Sequence, residues 1–338
     1  MAAAFDRALR EAIEAESAGV AGRDLARAAE ALSQRYREGG VRGAGGARLS
    51  ALERLAYATV RLPATAAAID AVLAAVAERT PEAPSTIVDL GSGPATALWP
   101  LLSRWPGIQR ATLVDRDPDL LHLGLRLWRR AWPAGGGPEV VTRAGDLSAT
   151  DLPIADVAIA SYAIGELAPE ALDRAVDRAL ALARRFVVLL EPGTPAGFAR
   201  IRAARDRLLA RGAAVVAPCP HGRACPMAGA DWCHFAVRLD RSRAHRLLKH
   251  GALGWEDEKF AYVVATPPGA VMVEPVPSRI VSRPRKETGH VRLRLCAADG
   301  LRDATVTRRD PGYRAARDAA WGDRWPSDDP ATSGDPLQ

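Results

Sequence analysis

The sequence predicts an α/β protein with a mostly parallel sheet, on three observations. Between residues 81 and 192 short apolar runs alternate with helical patterns, the signature of βαβ units. The first run ends in the turn Gly91-Ser92-Gly93, where glycine lets the backbone approach a ligand at the carboxyl edge of a sheet. The second ends in Asp115, 24 residues beyond Gly91, close to where nucleotide folds place a ribose-binding carboxylate. A chain of 338 residues has interior for a large core with appendages. Its 48% hydrophobic and 25% charged residues are those of a globular protein. No uninterrupted apolar run approaches the ~18 residues that span a bilayer, so no membrane association is expected.

In chain order, residues 5–37 and 49–79 carry helical spacing, for example Leu52, Leu55, Ala56, Thr59 and Val60, on either side of a glycine-rich link at 39–46. Residues 1–80 therefore read as a helical N-terminal region. Strands are expected at 86–90, 111–115, 139–143, 156–160 and 185–191. Asp117-Pro118 and Thr194-Pro195 each place a capping side chain before a proline suited to the first helical turn. Another helix opens near Pro169, with Leu172, Val176 and Leu180 on one face. Residues 218–231 form a loop rich in Pro, Gly, Cys and His, followed by a helix at 242–250 and a strand at 259–265. Residues 81–268, including a cysteine loop at 218–234, make the core. Residues 269–325 form a small basic β region in which Val291, Leu293 and Leu295 alternate with Arg292 and Arg294. The tail at 326–338 is expected to be disordered.

The N-terminal stretch carries Asp6, Glu11, Glu14 and Glu16, whereas organelle transit peptides are poor in acids. The expected location is cytoplasmic. Basic residues are 43 arginines and only three lysines, and their placement is informative. Residues 276–309 hold nine bases against three acids and so carry the whole formal net charge of +6. A local surplus of this kind suits a polyanion; the alternative is an ordinary solvated face. The candidates for RNA phosphates are Arg279, Arg283, Arg285, Lys286, Arg292 and Arg294.

A dinucleotide fingerprint would need a third glycine where Thr96 stands. Asp89, just before the glycine turn, would repel a diphosphate but attract the cationic amino group of a methionine moiety. With Gly145-Asp146 following the third strand, the constellation Asp89, Gly91, Gly93, Asp115 and Asp146 resembles class I S-adenosylmethionine-dependent methyltransferases. That resemblance implies a Rossmann-like core, S-adenosylmethionine as cofactor, and adenine near Asp146. Tyr162 and Glu166 follow the fourth strand, where they could touch cofactor or substrate. The sequence there is Ala160-Ser161-Tyr162-Ala163, without the Asn/Asp-Pro-Pro-aromatic motif of many amino-directed enzymes. Methyl transfer asks mainly for alignment of the reactants, and no residue is assigned to catalysis.

The four cysteines, Cys219, Cys225, Cys233 and Cys296, all lie late in the chain. Their gaps exceed those of ordinary zinc knuckles, and Cys219-Pro220 and Cys225-Pro226 are like the Cys-Pro of cluster loops. An iron–sulfur cluster is the preferred reading. A zinc site completed by His221 or His234, or inert buried thiols, are the alternatives.

The stretches EPGTPAGFARIRAARDRL and VVAPCPHGRACPMAGADWCHFAVRL, then WEDEKF, RLPAT at 61–65, GHVRLRLC and YRAARDAAWGD closely resemble methyltransferase-like ribosomal small-subunit proteins of mitochondria and bacteria. The resemblance implies a methyltransferase core, a [4Fe-4S] cluster on the four cysteines, and a role in small-subunit assembly or translation through rRNA, with an active rRNA or ribosomal-protein methyltransferase as the alternative. One departure is Ala95, where that family often has glycine; its methyl is expected to crowd the cofactor.

Overall fold

Ile87 and Val88 are neighbours on the first strand, yet they pack into different apolar cores. That alternation follows from a sheet covered on both faces. In the computed structural model, which describes residues 3–37, 49–80, 82–132, 137–147, 151–248, 253–270 and 276–326, strands β1 (Thr86–Leu90), β2 (Arg110–Asp115), β3 (Glu139–Ala144), β4 (Ala155–Ser161) and β5 (Ala183–Pro192) pair in parallel in the order β3-β2-β1-β4-β5. The glycine-rich link at 39–46 and the tail from residue 327 lie outside the described residues.

Beyond β5 the sheet turns antiparallel. Strand β6 (Ala214–Ala217), strand β7 (Phe235–Asp240) and the first half of the last strand had not been expected. β8 (Trp255–Thr266) inserts between β5 and β6, antiparallel to both, and its first half pairs with β7. β8 starts four residues before the predicted strand because β7 is there to satisfy its backbone. A parallel 3-2-1-4-5 sheet extended by an antiparallel strand placed inside the final one is the class I methyltransferase architecture.

One layer of helices covers each face. α1 (Ala3–Ser17), α3 (Ala51–Ala77), α4 (Leu98–Arg104) and α5 (Pro118–Ala131) pack with Ile87, Leu113, Ile159 and Val188. α6 (Leu172–Leu182) and α7 (Pro195–Ala210) pack with Val88, Val114, Ala158 and Val187. The helix starts follow from the sequence. Asp117 accepts from the Asp119 and Leu120 amides ahead of Pro118, and Thr194 accepts from Gly197 ahead of Pro195. Ser50 and Glu53 form a reciprocal capping box on α3. By length and composition α3 could cross a bilayer, contrary to expectation, but most of its apolar window is buried within the fold. α2 (Gly22–Arg37) and α8 (Arg243–Leu248) join the N-terminal half of α3 in a separate apolar cluster of Leu25, Leu32, Leu55, Val60 and Leu248.

The basic region forms a second, antiparallel sheet of β9 (Ser278–Ile280), β10 (Arg285–Glu287), β11 (His290–Ala297) and β12 (Gly300–Thr307), closed by α9 (Tyr313–Asp318). Val291, Leu293 and Leu295 face Ala316 and Trp325, whereas Cys296 packs with Met227 and Val281. β11 therefore shows its apolar residues to one core and Cys296 to another, as the period-two pattern requires.

Candidate functional site

The glycine turn is built by positive backbone angles. Gly91 has φ +77 and Gly93 φ +55, and a Cβ on Gly91 would stand 2.5 Å from the Ala163 Cβ. The Gly91 and Ser92 amides donate to the Val114 carbonyl at 2.8 and 2.9 Å. The two oxygens of Asp115 accept from the Gly93 and Asp117 amides at 2.9 and 2.8 Å. Asp115 thus organises the turn and the start of α5. A carboxylate has further lone pairs, so a ribose diol would share it with these amides.

Gly91, Gly93, Asp115 and Tyr162 line one small cavity, together with Tyr57, Arg116, Gly145, Leu147 and Glu166. Its volume is about 40 Å³, room for a few water molecules. Two of the expected residues are not among its lining. Asp146 is hydrogen-bonded to Arg116. Asp89 lies beneath the turn at 1% exposure with neither oxygen partnered. Burial, and secondarily the charge of Asp115, push its carboxyl up to about 8. A buried carboxylate without a donor calls for a cation, the chemistry that an α-amino group would supply.

Ala95 also differs from expectation. It sits at φ +58, fully buried, with its methyl in the main core and not among the cavity-lining residues. The close approach usually served by a third glycine comes from α5: a Cβ on Gly124 would lie 2.4 Å from the Pro94 carbonyl carbon.

Sequence reasoning placed Tyr162 here but missed the charged groups behind it. Tyr162 takes φ +55, and its hydroxyl donates to Glu258 Oε1 at 2.8 Å. Burial, then the Glu258 charge, hold that phenol well above its usual range. Arg61 reaches Glu258 at 3.6 Å, and its guanidinium carbon lies 5.9 Å from the Tyr162 ring centre. Glu191 ends β5, buried, accepting from Gly165 and from Arg200; burial raises its carboxyl. RLPAT and WEDEKF had marked Arg61 and Glu258 as motif residues, but a one-dimensional pattern does not reveal that they meet.

The four cysteines are free thiols. Three come from residues 219–233 and the fourth from β11. Burial, and then the charges of the other three, hold the Cys233 thiol well above its usual range; burial and then Cys219 and Cys225 push Cys296 up to about 12. Among the described residues no three His, Cys, Asp or Glu side chains are gathered as ligands of a metal ion. The Cys296 sulfur is 3.7 Å from His221 Nε2. Two buried arginines anchor the loop: Arg205 donates to the carbonyls of His221 and Arg223, and Arg279 to those of Pro218 and Gly322. Four thiols free of disulfides, beside two buried cations, are of a chemistry that suits a thiolate-bound centre.

Arg279, at 4% exposure, is consequently no surface residue and leaves the candidate RNA set. Arg283, Arg285, Lys286 and Arg292 are exposed. Arg294 is partly buried and paired with Asp231 of the cysteine loop at 2.6 Å.

Comparison with known proteins brings in the family. The profile described as mitochondrial small ribosomal subunit Rsm22 matches residues 51–326. The human protein named "Ribosome assembly protein METTL17, mitochondrial" is 29% identical over 318 residues, covering 84% of this chain. Two fission-yeast (Schizosaccharomyces pombe) proteins named mitochondrial Rsm22-cox11 tandem proteins are 28% identical over 183 residues, covering 42% of it. The chain spans 66% of the human relative's length and 24% of the yeast ones. Among solved structures, a magnesium protoporphyrin IX methyltransferase from Synechocystis with bound SAH aligns at TM-score 0.42 and 13% identity, over 70% of this chain and 94% of that one. The methyltransferase domain of a bacterial Hen1 aligns at 0.39 and 15%, over 59% and 97%. These findings overturn the expected cytoplasmic location, since the matched family and these relatives are mitochondrial. The N-terminal acids misled because they serve the fold: Asp6 pairs with Arg10, and Glu16 with Arg126 and Arg130.

Proposed function

The chain belongs to the Rsm22 family of mitochondrial small ribosomal subunit proteins, and from that premise we propose that it is an rRNA-binding factor for assembly or translation of the small subunit. In this reading its methyltransferase fold binds S-adenosylmethionine, and its cysteines bind an iron–sulfur cluster. One observation carries the RNA reading: Arg285 of β10 lies directly opposite Arg292 of β11. Like charges facing each other across a strand pair destabilise a sheet; among the described residues Glu287 offsets this only on the Arg292 side, at 3.6 Å, and a phosphate between the two arginines would offset it further. Arg283 and Lys286 extend the face, and the Arg294–Asp231 pair joins it to the cysteine loop. Crosslinking the chain to small-subunit rRNA and mapping the attached peptides tests this. Adducts are expected within residues 283–294; adducts confined to the N-terminal helices would overturn it.

Cys219, Cys225, Cys233 and Cys296 would hold the [4Fe-4S] cluster, with zinc on the same thiolates as the alternative. When bound, the cluster supplies a cross-link between loop and second sheet, and a one-electron couple. Arg205 and Arg279 offset the thiolate charge. Anaerobic preparations should contain iron and sulfide; stoichiometric zinc in their place contradicts the cluster.

A second reading is an active methyltransferase acting on rRNA or a ribosomal protein. The strained backbone of Tyr162 beside the cavity favours it, because such strain concentrates at active sites. Methyl release on immature small subunits distinguishes the two.

A further inference from the structure

Arg54, Tyr57 and Arg61 are spaced three and four residues apart on α3, so they share one helical stripe. At one end Arg54 Nε lies 3.2 and 3.1 Å from the two oxygens of Asp117, and its Nη2 lies 2.8 Å from Asp119. At the other end Arg61 meets Glu258, which holds the Tyr162 hydroxyl. Tyr57, between these anchors, lines the cavity with Gly91, Gly93, Asp115 and Tyr162.

The helix is divided. Pro63 inside α3 removes an amide donor and its ring crowds the preceding turn, while the Thr59 hydroxyl donates back to the Leu55 carbonyl at 2.8 Å. Beyond Pro63, Ile69, Val72 and Leu73 are fully buried in the main core. Before it, Leu55, Ala56 and Val60 belong to the separate cluster with α2, while Ala58 and Leu62 reach into the main core. The half that carries the stripe therefore divides its packing between α2 and the main core, and its exposed side is tied down by ion pairs. The cavity that Tyr57 lines, about 40 Å³, is far smaller than an ordinary ligand site, so its walls must part to admit a nucleoside.

We propose that the N-terminal half of α3 is the movable roof of the nucleotide site, that Tyr57 contacts bound S-adenosylmethionine, and that Arg54 and Arg61 are positioning residues latching the roof on either side. This rests on the S-adenosylmethionine reading above. An aromatic face suits the ligand's sulfonium and adenine alike.

Calorimetry with S-adenosylmethionine, joined to hydrogen exchange on the full chain, tests it. Tyr57→Ala should weaken binding roughly five- to thirtyfold, while Tyr57→Phe and the outward-facing Leu52→Ala remain within about twofold. Ligand should slow exchange of residues 51–62. Arg54→Ala and Arg61→Ala should speed exchange there without ligand. Binding by the unchanged chain that is indifferent to Tyr57→Ala, or that leaves exchange at 51–62 unaltered, overturns the roof alone. No binding by the unchanged chain overturns the cofactor reading and the roof with it.

Discussion

Asp89 is the residue at which stability and ligand binding conflict most directly. Its carboxyl is pushed up to about 8 by burial, against roughly 4 in an unfolded chain. The folded state thus holds a proton that the unfolded state has released. Stability from this group is complete below pH ~4 and is lost as the pH rises through ~8. Asp89→Asn, which cannot ionise, should therefore leave stability unchanged at pH 4 and raise it progressively above that, by up to about 1.4 kcal/mol for each pH unit between ~4 and ~8. At pH 8 and above, where Asp89 ionises, the same change should weaken S-adenosylmethionine roughly tenfold or more by removing the anion. Thermal unfolding at several pH values and calorimetry read the two effects. Ala95 makes a contrasting case. Changing it to glycine relieves ~1–2 kcal/mol of left-handed strain but costs ~0.5–1 in chain entropy and ~0.8 for a buried methyl. The net change in denaturant unfolding should stay within about 1 kcal/mol, and ligand affinity within about twofold, because the methyl faces the core.

At the scale of elements, α5 owes its seat to a single glycine. A Cβ on Gly124 would lie within 2.4–2.8 Å of Pro94 and Ala95 backbone atoms, so Gly124→Ala should destabilise the fold by about 1–3 kcal/mol. It should also weaken the ligand by shifting the turn; a variant as stable as the unchanged chain would refute the packing argument. The parallel strands were legible because each is a short apolar run closed by a turn signal, and their helices because Asp117 and Thr194 announce them before proline. β6 and β7 were not, since their four and six residues pair only with β8 and offer little periodicity of their own. Within the site, Gly91, Gly93, Asp115 and Tyr162 could be read from their places after strands. Tyr57, Arg61 and Glu258 could not, because their contact spans separations that only the folded chain closes. Arg279 was misjudged for a related reason: in sequence it is one arginine among many, and its burial depends on the carbonyls of two distant segments.

On the scale of the whole molecule, the two sheets divide the work. The parallel-dominated sheet carries a small cavity at its carboxyl edge, and the second sheet carries exposed arginines. The cysteines lie where they meet, with three from the loop of the first and Cys296 from β11 of the second. The account stands or falls on the basic face being an RNA surface, which the salt dependence of binding measures most directly. Each phosphate contact contributes about 0.7–0.9 to the slope of log K against log salt. The unchanged protein and the variant with Arg283, Arg285 and Lys286 reversed to Glu should be titrated with small-subunit rRNA across a salt series, with iron and zinc content measured alongside. The account predicts that the variant binds more weakly at low salt, that its slope is shallower by about 2–3, and that its metal content is unchanged. Equal affinity and equal slope for the two proteins would contradict it.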